Sequence, residues 1–325
     1  MISIFAIPVE KIVALAMRDL HCFDGLHTFN FKDGVNTIVG RNRSGKSGLV
    51  YALTNSFVFD DKNKNWFNHY FYKNPESLME IVFIFSSKEH YLRRVISSGA
   101  TTDLHLYIGD GEDRVFLRDG EVVEYFRQCK LDQVFDIFDN EFDPRAPFSP
   151  SIKKNYMIEN IMIANKQSLE ILNLLLARFE NRIEKVVKRD GNTLVIYKDG
   201  RLSLPLEHLS MKDALLISIL SVLSNHITKH QKTYGGVIVL DDFELGLDKN
   251  GIEQFNQIFE YLSHEYGVQI FITSRSKRNR SHAINLRKLI PVSPNYTIKS
   301  NTVYKKVFKS NVIVKNPPYI KKFRW

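Results

Sequence analysis

The chain has 325 residues, 44% of them hydrophobic, which suits one large α/β domain with lobes or two small domains. There is no run of about 18 apolar residues to span a membrane. Two cysteines alone, Cys22 and Cys129, argue against a disulfide framework, a Cys-based zinc site or an iron–sulfur cluster and point to a reducing cytoplasm.

The opening MISIFAIPVEKIVALAM is broken by Glu10 and Lys11 and has no small-residue cleavage site, so it reads as a first strand and not as a signal peptide. The next elements are strand, turn, strand, loop, helix. KIVALAMRDL and LHTFNFKDG alternate with period 2, VNTIVG is a short buried strand, and SGKSGLVYALTNSFVF has helical spacing. Residues 78–126 read as a β-rich lobe (LMEIVFIF, EHYLRRVIS, DLHLYIG, RVFLRDG) with Gly-Asp-Gly and Asp-Gly turn signals. Pro144, Pro147 and Pro150 mark a break. Leu169, Leu172, Leu176, Phe179, Ile183 and Val186, spaced by three and four, predict one amphipathic helix over residues 166–188. TLVIYKDGRLSLPLEHL predicts a hairpin and residues 211–227 a helix. GGVIVL and VQIFIT are core strands flanking a helix at 250–265, and TVYKKVF and NVIVK are short β-like runs near the end.

The net charge of +9 is uneven. No acidic residue follows Glu265, and residues 275–325 hold fourteen of the 45 Lys and Arg, leaving 31 basic against 36 acidic residues, a net −5, in the rest. Tyr296, Tyr304, Phe308, Tyr319, Phe323 and Trp325 interleave with that charge. Such a segment can bind the phosphate backbone of DNA or RNA, lie as a solvated face, or dock an acidic protein.

Gly40-x4-Gly45-Lys46-Ser47 matches the Walker A pattern in full, between a hydrophobic strand and a helix. Glycines let backbone N–H groups wrap a phosphate, Lys46 reaches the terminal phosphates, Ser47 offers a hydroxyl to Mg²⁺, and the helix N-terminus adds its dipole. The candidate ATP contacts here are Gly40, Asn42, Ser44, Gly45, Lys46, Ser47 and Gly48. Arg41 and Arg43 either sense a γ-phosphate, meet a second subunit, or face solvent. VIVLDDFELGLD supplies the Walker B strand: Asp241 ends it as a Mg²⁺ ligand, and Asp242 is placed to polarise the attacking water.

The order of LEHLSMKDALLISIL, VIVLDDFELGLD and VQIFITSRS after this loop resembles the ATP-binding-cassette ATPases of the SMC, RecF and OLD type, over most of residues 10–276. The resemblance implies an α/β P-loop NTPase head at 1–276, with a β-rich N-terminal lobe near 78–126 and a short helical insertion near 151–188; the helix predicted at 166–188, about six turns, is too short for a long coiled-coil arm. A basic C-terminal extension, 277–325, would follow. Two heads would sandwich two ATP molecules. Ser210 would open a signature helix that meets the partner's γ-phosphate, and Asp248 would shape the interface. Gln133 is the candidate Mg²⁺ ligand of a Q-loop, Glu244 a substitute catalytic carboxylate, and Arg275 stands where the family has a switch histidine.

The pattern departs from the family at three places. Lys212 replaces the signature glycine, Asp242 is one methylene shorter than the usual Glu, and Arg275 cannot accept a proton at neutral pH, although it could pair with a γ-phosphate. These departures predict a slow or activation-dependent ATPase, or a nonhydrolysing ATP-bound scaffold. Small armless heads of this kind resemble Septu-like and retron-associated antiphage ATPases, which implies a homodimer through ATP and a separate effector, a nuclease or toxin. The alternative is a RecF-like DNA-repair clamp. His226 and His230, spaced i, i+4, have no third metal ligand, and a helix C-terminus suits histidine electrostatically.

Overall fold

The computed structural model describes residues 3–20, 22–42, 44–59, 76–97, 100–109, 114–132, 134–136, 166–179, 182–189, 192–200, 202–229, 236–244, 247–274 and 283–286. The chain opens with β1 (Ser3–Ile7), β2 (Lys11–Leu20), β3 (Phe23–Asn30), β4 (Val35–Val39) and α1 (Lys46–Asn55). Then come β5 (Glu76–Phe85), β6 (Lys88–Ser97), β7 (Ala100–Ile108), β8 (Val115–Arg118), α2 (Gly120–Gln128) and β9 (Phe135–Asp136). The second half holds α3 (Lys166–Arg178), β10 (Ile183–Arg189), β11 (Asn192–Tyr197), β12 (Ser203–Pro205), α4 (Met211–Lys229), β13 (Gly236–Asp241), α5 (Lys249–Tyr266), β14 (Val268–Ser274) and β15 (Ala283–Asn285).

The central sheet runs β15-β4-β14-β13-β1-β9. Its first four strands are mutually parallel, and β1 and β9 join antiparallel. GVIVLD of β13 and VQIFITS of β14 are buried throughout, as strands covered on both faces must be. Alternation decides which layer each side chain joins. Ile238, Leu240, Ile270 and Ile272 pack with α3, α4 and α5, while Val237, Val239 and Phe271 pack with α1 and the β-rich lobe. α1 and α4 therefore lie on opposite faces of the sheet.

The lobe is an antiparallel sheet ordered β3-β2-β5-β6-β7-β8. Gln269 pins it to the central sheet, its side-chain amide accepting from Ile12 N at 2.7 Å and donating to the Ile12 and Lys32 carbonyls at 2.8 and 2.9 Å. Arg94 of β6 pins it to α1. Its buried guanidinium donates to the Asn55 and Val58 carbonyls, both at 3.1 Å, and to Thr101 Oγ1 at 2.6 Å. A cation at the carbonyl end of a helix also suits the helix dipole. α1 stops at Asn55 although helical spacing runs to Phe59: the Ser56 N–H still reaches Ala52 O at 3.2 Å, but Phe57 and Val58 tighten to i−3 bonds, donating to Thr54 O and Asn55 O, both at 3.3 Å. Ser56 Oγ also donates to Ala52 O at 2.6 Å and Thr54 Oγ1 to Val50 O at 3.2 Å.

Two expectations are corrected here. The helix predicted over 166–188 ends at Arg178, and Ile183 and Val186 belong to β10. A β-bulge misled the spacing. The pairing with β11 slips between Ile183 and Lys185, so residues three apart both turn inward and both are fully buried. The β-rich lobe also does not run as strand to 126. Asp119-Gly120 opens α2, which buries Val122 and Phe126, an i, i+4 pair, against the lobe. The hairpin, the helices at 211–229 and 249–266 and the strands around them form where the pattern put them.

Candidate functional site

Parallel strands bring three sequence-distant ends to one edge. Val39 pairs with Ser274, and Leu240 with Ile272, so the carboxyl ends of β4, β14 and β13 lie side by side. Ligands of open α/β sheets bind outside such ends.

The loop from β4 to α1 makes the first wall. Gly45 stands at φ 94°, a left-handed conformation that glycine adopts without penalty, and it is the N-cap of α1 with no side chain to cap it. Leu49 N donates to Gly45 O at 2.9 Å, which starts the helix. A side chain on Gly45 would meet Cys22 Sγ at 2.5 Å and the Phe23 ring at 2.9 Å, so the β2–β3 turn closes on this loop. A side chain on Gly40 would collide with Ser44. Ser44 Oγ is buried without a hydrogen-bond partner among the described residues, and Gly48 is buried in the first turn of the helix. Asn42 and Arg41 are exposed at the tip. Lys46 is buried and folds back on the loop, donating to Gly40 O at 3.1 Å and Arg41 O at 3.0 Å.

The second wall is acidic. Asp241 is buried, and its carboxylate accepts from Thr273 Oγ1 at 2.7 Å and from the Ser47 hydroxyl. Burial pushes its pKa up, and those two hydroxyls oppose the shift. Asp242 sits at φ 53°, a conformation that costs a non-glycine residue about 1–3 kcal/mol. Its N–H donates to Thr273 Oγ1 at 2.8 Å. Glu244 Oε1 accepts from Ser274 Oγ at 2.9 Å.

These donors fit a nucleoside triphosphate with Mg²⁺. The uncapped N-terminus of α1 and a buried ammonium bonded only to carbonyls suit phosphate oxygens. A buried carboxylate touching the Ser47 hydroxyl suits a hard cation. The structure thus brings together Gly40, Ser44, Gly45, Lys46, Ser47, Gly48, Asp241, Asp242 and Glu244. Thr273 belongs with them, although no motif names it; its signal in the sequence is its place in TSRS at the end of the buried strand β14.

Ser210 and Asp248 lie elsewhere in the chain. Ser210 opens α4 on the opposite face of the sheet from α1, and its Oγ accepts the Asp213 N–H at 3.1 Å. Asp248 caps α5, Oδ1 accepting from Gly251 N at 2.6 Å. Gln133, Arg275, Arg43 and His230 lie outside the described residues, as does the basic segment 277–325 apart from 283–286. No helix among the described residues is long and apolar enough to cross a membrane.

Comparison with known proteins agrees with this geometry. The family model described as AAA domain matches residues 14–190, more than half of the chain. The chain belongs to that family. Three solved structures share its fold. The SMC head domain from Thermotoga maritima has a TM-score of 0.51 at 17% identity, over 82% of this chain and 90% of that one. An SmcHead bound to the C-winged helix domain of ScpA has a TM-score of 0.55 at 12% identity, over 82% and 90%. An Smc head domain with an extended coiled coil, bound to the C-terminal domain of ScpA derived from Pyrococcus furiosus, has a TM-score of 0.54 at 11% identity, over 82% and 89%. No curated protein matches in sequence. The class is therefore a P-loop ATPase domain of SMC-head fold.

Proposed function

We propose that the chain binds ATP with Mg²⁺ and that ATP joins two copies face to face, slow hydrolysis then releasing them. One observation carries this reading: Lys46, Ser47, Asp241 and Thr273 converge at the carboxyl edge of the sheet, while Ser210 lies exposed at the start of a helix on the other face. A serine so placed serves a second molecule's nucleotide better than its own.

In each copy the loop amides and Lys46 hold the phosphates, and Ser47 and Asp241 would hold the cation. Bound Mg²⁺ would offset phosphate charge. Asp242 and Glu244 are the carboxylates that could orient water, while Gln133 would add a ligand to Mg²⁺ and Arg275 would pair with the γ-phosphate. Asn42, at the exposed tip, and Asp248, beside α5, would face the partner copy.

The biological role we propose is antiphage defence, with the ATPase gating a separate effector, a nuclease or toxin, in the cytoplasm. Cys22 and Cys129, neither of them in a disulfide, suit that compartment. The basic segment supports a second reading, a RecF-like clamp on DNA or RNA. The strained Asp242 supports a third, an ATP-bound scaffold that does not hydrolyse.

Sedimentation with and without a slowly hydrolysed ATP analogue tests the pairing. We expect monomers without nucleotide and dimers with it, while Lys46→Ala should stay monomeric in both, its affinity for a fluorescent ATP analogue falling at least about 100-fold, or about 2.7 kcal/mol. Unchanged affinity in that variant would refute the P-loop assignment.

A further inference from the structure

Ser210 is held from behind. Its Oγ accepts the Asp213 N–H at 3.1 Å and its carbonyl accepts the Ala214 N–H at 2.9 Å, which makes it the N-cap of α4. With that oxygen engaged as an acceptor, the hydroxyl of this exposed residue keeps its proton to donate.

Asp213 does more than end a helix turn. A carboxylate that only complemented the helix dipole would sit in water. This one is 6% exposed and turns to the three-stranded sheet β10-β11-β12. Its Oδ2 accepts from the Arg182 guanidinium at 3.2 Å and from the Tyr197 hydroxyl at 3.1 Å. Arg182 precedes β10 and Tyr197 ends β11. The Lys198 N–H donates to Arg182 O at 2.9 Å, and Ile183 pairs with Tyr197, so both groups stand at one end of that sheet.

The sheet is itself braced. Asn173 of α3 exchanges two hydrogen bonds with the Val186 backbone, at 2.8 and 3.0 Å, and Ser168 Oγ of α3 donates to Thr228 of α4 at 3.1 Å. α3, the small sheet and α4 thus form one block with Ser210 at its corner.

We propose that Arg182 and Tyr197 are positioning residues: through Asp213 they aim Ser210 at the γ-phosphate held by a second copy, so the small sheet sets how tightly two copies join. This rests on the ATP-bridged pair proposed above. Neither residue belongs to the wall that binds nucleotide within one chain, so pairing and nucleotide binding should separate. Arg182 is 74% exposed, and without it the buried Asp213 carboxylate keeps the Tyr197 hydroxyl as a donor. Arg182→Gln should therefore fold normally.

The experiment compares full-length wild type, Arg182→Gln, Tyr197→Phe and the conservative Arg182→Lys. Sedimentation velocity across a concentration series with Mg²⁺ and a slowly hydrolysed ATP analogue reads pairing. A fluorescent ATP analogue at dilute protein reads nucleotide affinity. We expect nucleotide affinity within about twofold of wild type in all three. The dimer dissociation constant should rise about tenfold or more in Arg182→Gln and Tyr197→Phe, with Arg182→Lys recovering most of the loss. If a wild type that pairs is matched by both variants, the proposal is overturned and the pairing stands. If both variants lose nucleotide affinity in proportion to pairing, their role is merely structural and the proposal is again overturned. A wild type that stays monomeric with the analogue overturns the pairing itself and this proposal with it.

Discussion

Thr273 holds two acidic positions with one hydroxyl. It donates to the Asp241 carboxylate and accepts the Asp242 N–H, so it orients the candidate cation ligand and keeps Asp242 in its left-handed conformation. Thr273→Val keeps the shape and removes both bonds, leaving the buried Asp241 carboxylate short of one donor, at about 1–3 kcal/mol, and the half-buried Asp242 N–H without this acceptor. ATP turnover should fall at least about tenfold while Lys46 still binds nucleotide, as steady-state turnover beside equilibrium binding would show. Asp242→Ala tests the carboxylate itself. It should retain bound ATP without hydrolysing it, with the Asp241 site intact, and turnover at the wild-type rate would shift the role to Glu244.

At the scale of the element, the β-rich lobe carries two titratable groups that oppose each other. Glu80 of β5 is buried beside Tyr91, whose hydroxyl donates to it at 2.6 Å, and burial raises its pKa from 4.5 to about 7. His90 of β6 stacks on Phe83 with centroids 4.9 Å apart, and burial lowers its pKa from 6.5 to about 4. The Lys88 carbonyl at 3.0 Å can only accept, so His90 Nδ1 carries the proton and Nε2 accepts from the Tyr125 hydroxyl at 2.8 Å. Between pH 4.5 and 7 the folded chain keeps the Glu80 proton that the unfolded chain has lost. That stability is present below 4.5 and drains away as pH rises through 7. Between pH 6.5 and 4 the unfolded chain gains a His90 proton that the folded chain refuses. That stability is present above 6.5 and is lost as pH falls through 4. At 1.36 kcal/mol per pKa unit each amounts to about 3 kcal/mol, so they nearly cancel where they overlap. Glu80→Gln should therefore steepen the loss of stability between pH 6.5 and 4.5 by about 2–3 kcal/mol. Urea titrations at three pH values read it, and an unchanged slope would mean that Glu80 does not titrate there.

For the molecule as a whole, the charge is split between a mildly acidic body and a basic C-terminal segment. Residues 287–325 hold ten Lys and Arg and no acidic residue. If this segment binds a phosphate backbone through six or more contacts, affinity should fall about a thousandfold or more between 50 and 200 mM salt. Truncation after Leu286 keeps β15 beside β4 and should abolish that binding while ATP affinity stays level. Nucleic-acid binding that survives truncation with the same salt slope would move the contact to the body.

Much of this protein was legible in order along the chain. The Walker A loop, the strand ending in Asp241 and the buried strands on either side of α5 are local patterns, since backbone geometry makes the glycines and the alternation obligatory. What local pattern could not decide was where irregularity enters and which distant groups meet. Ile183 and Val186 keep helical spacing by virtue of a bulge that exists only once β10 pairs with β11. Asp213 finds Arg182 and Tyr197, and Asp241 finds Thr273, across 31, 16 and 32 positions of sequence. Those contacts arise when separate elements pack and a buried carboxylate must find donors in whatever lies opposite, so tertiary structure alone selects them.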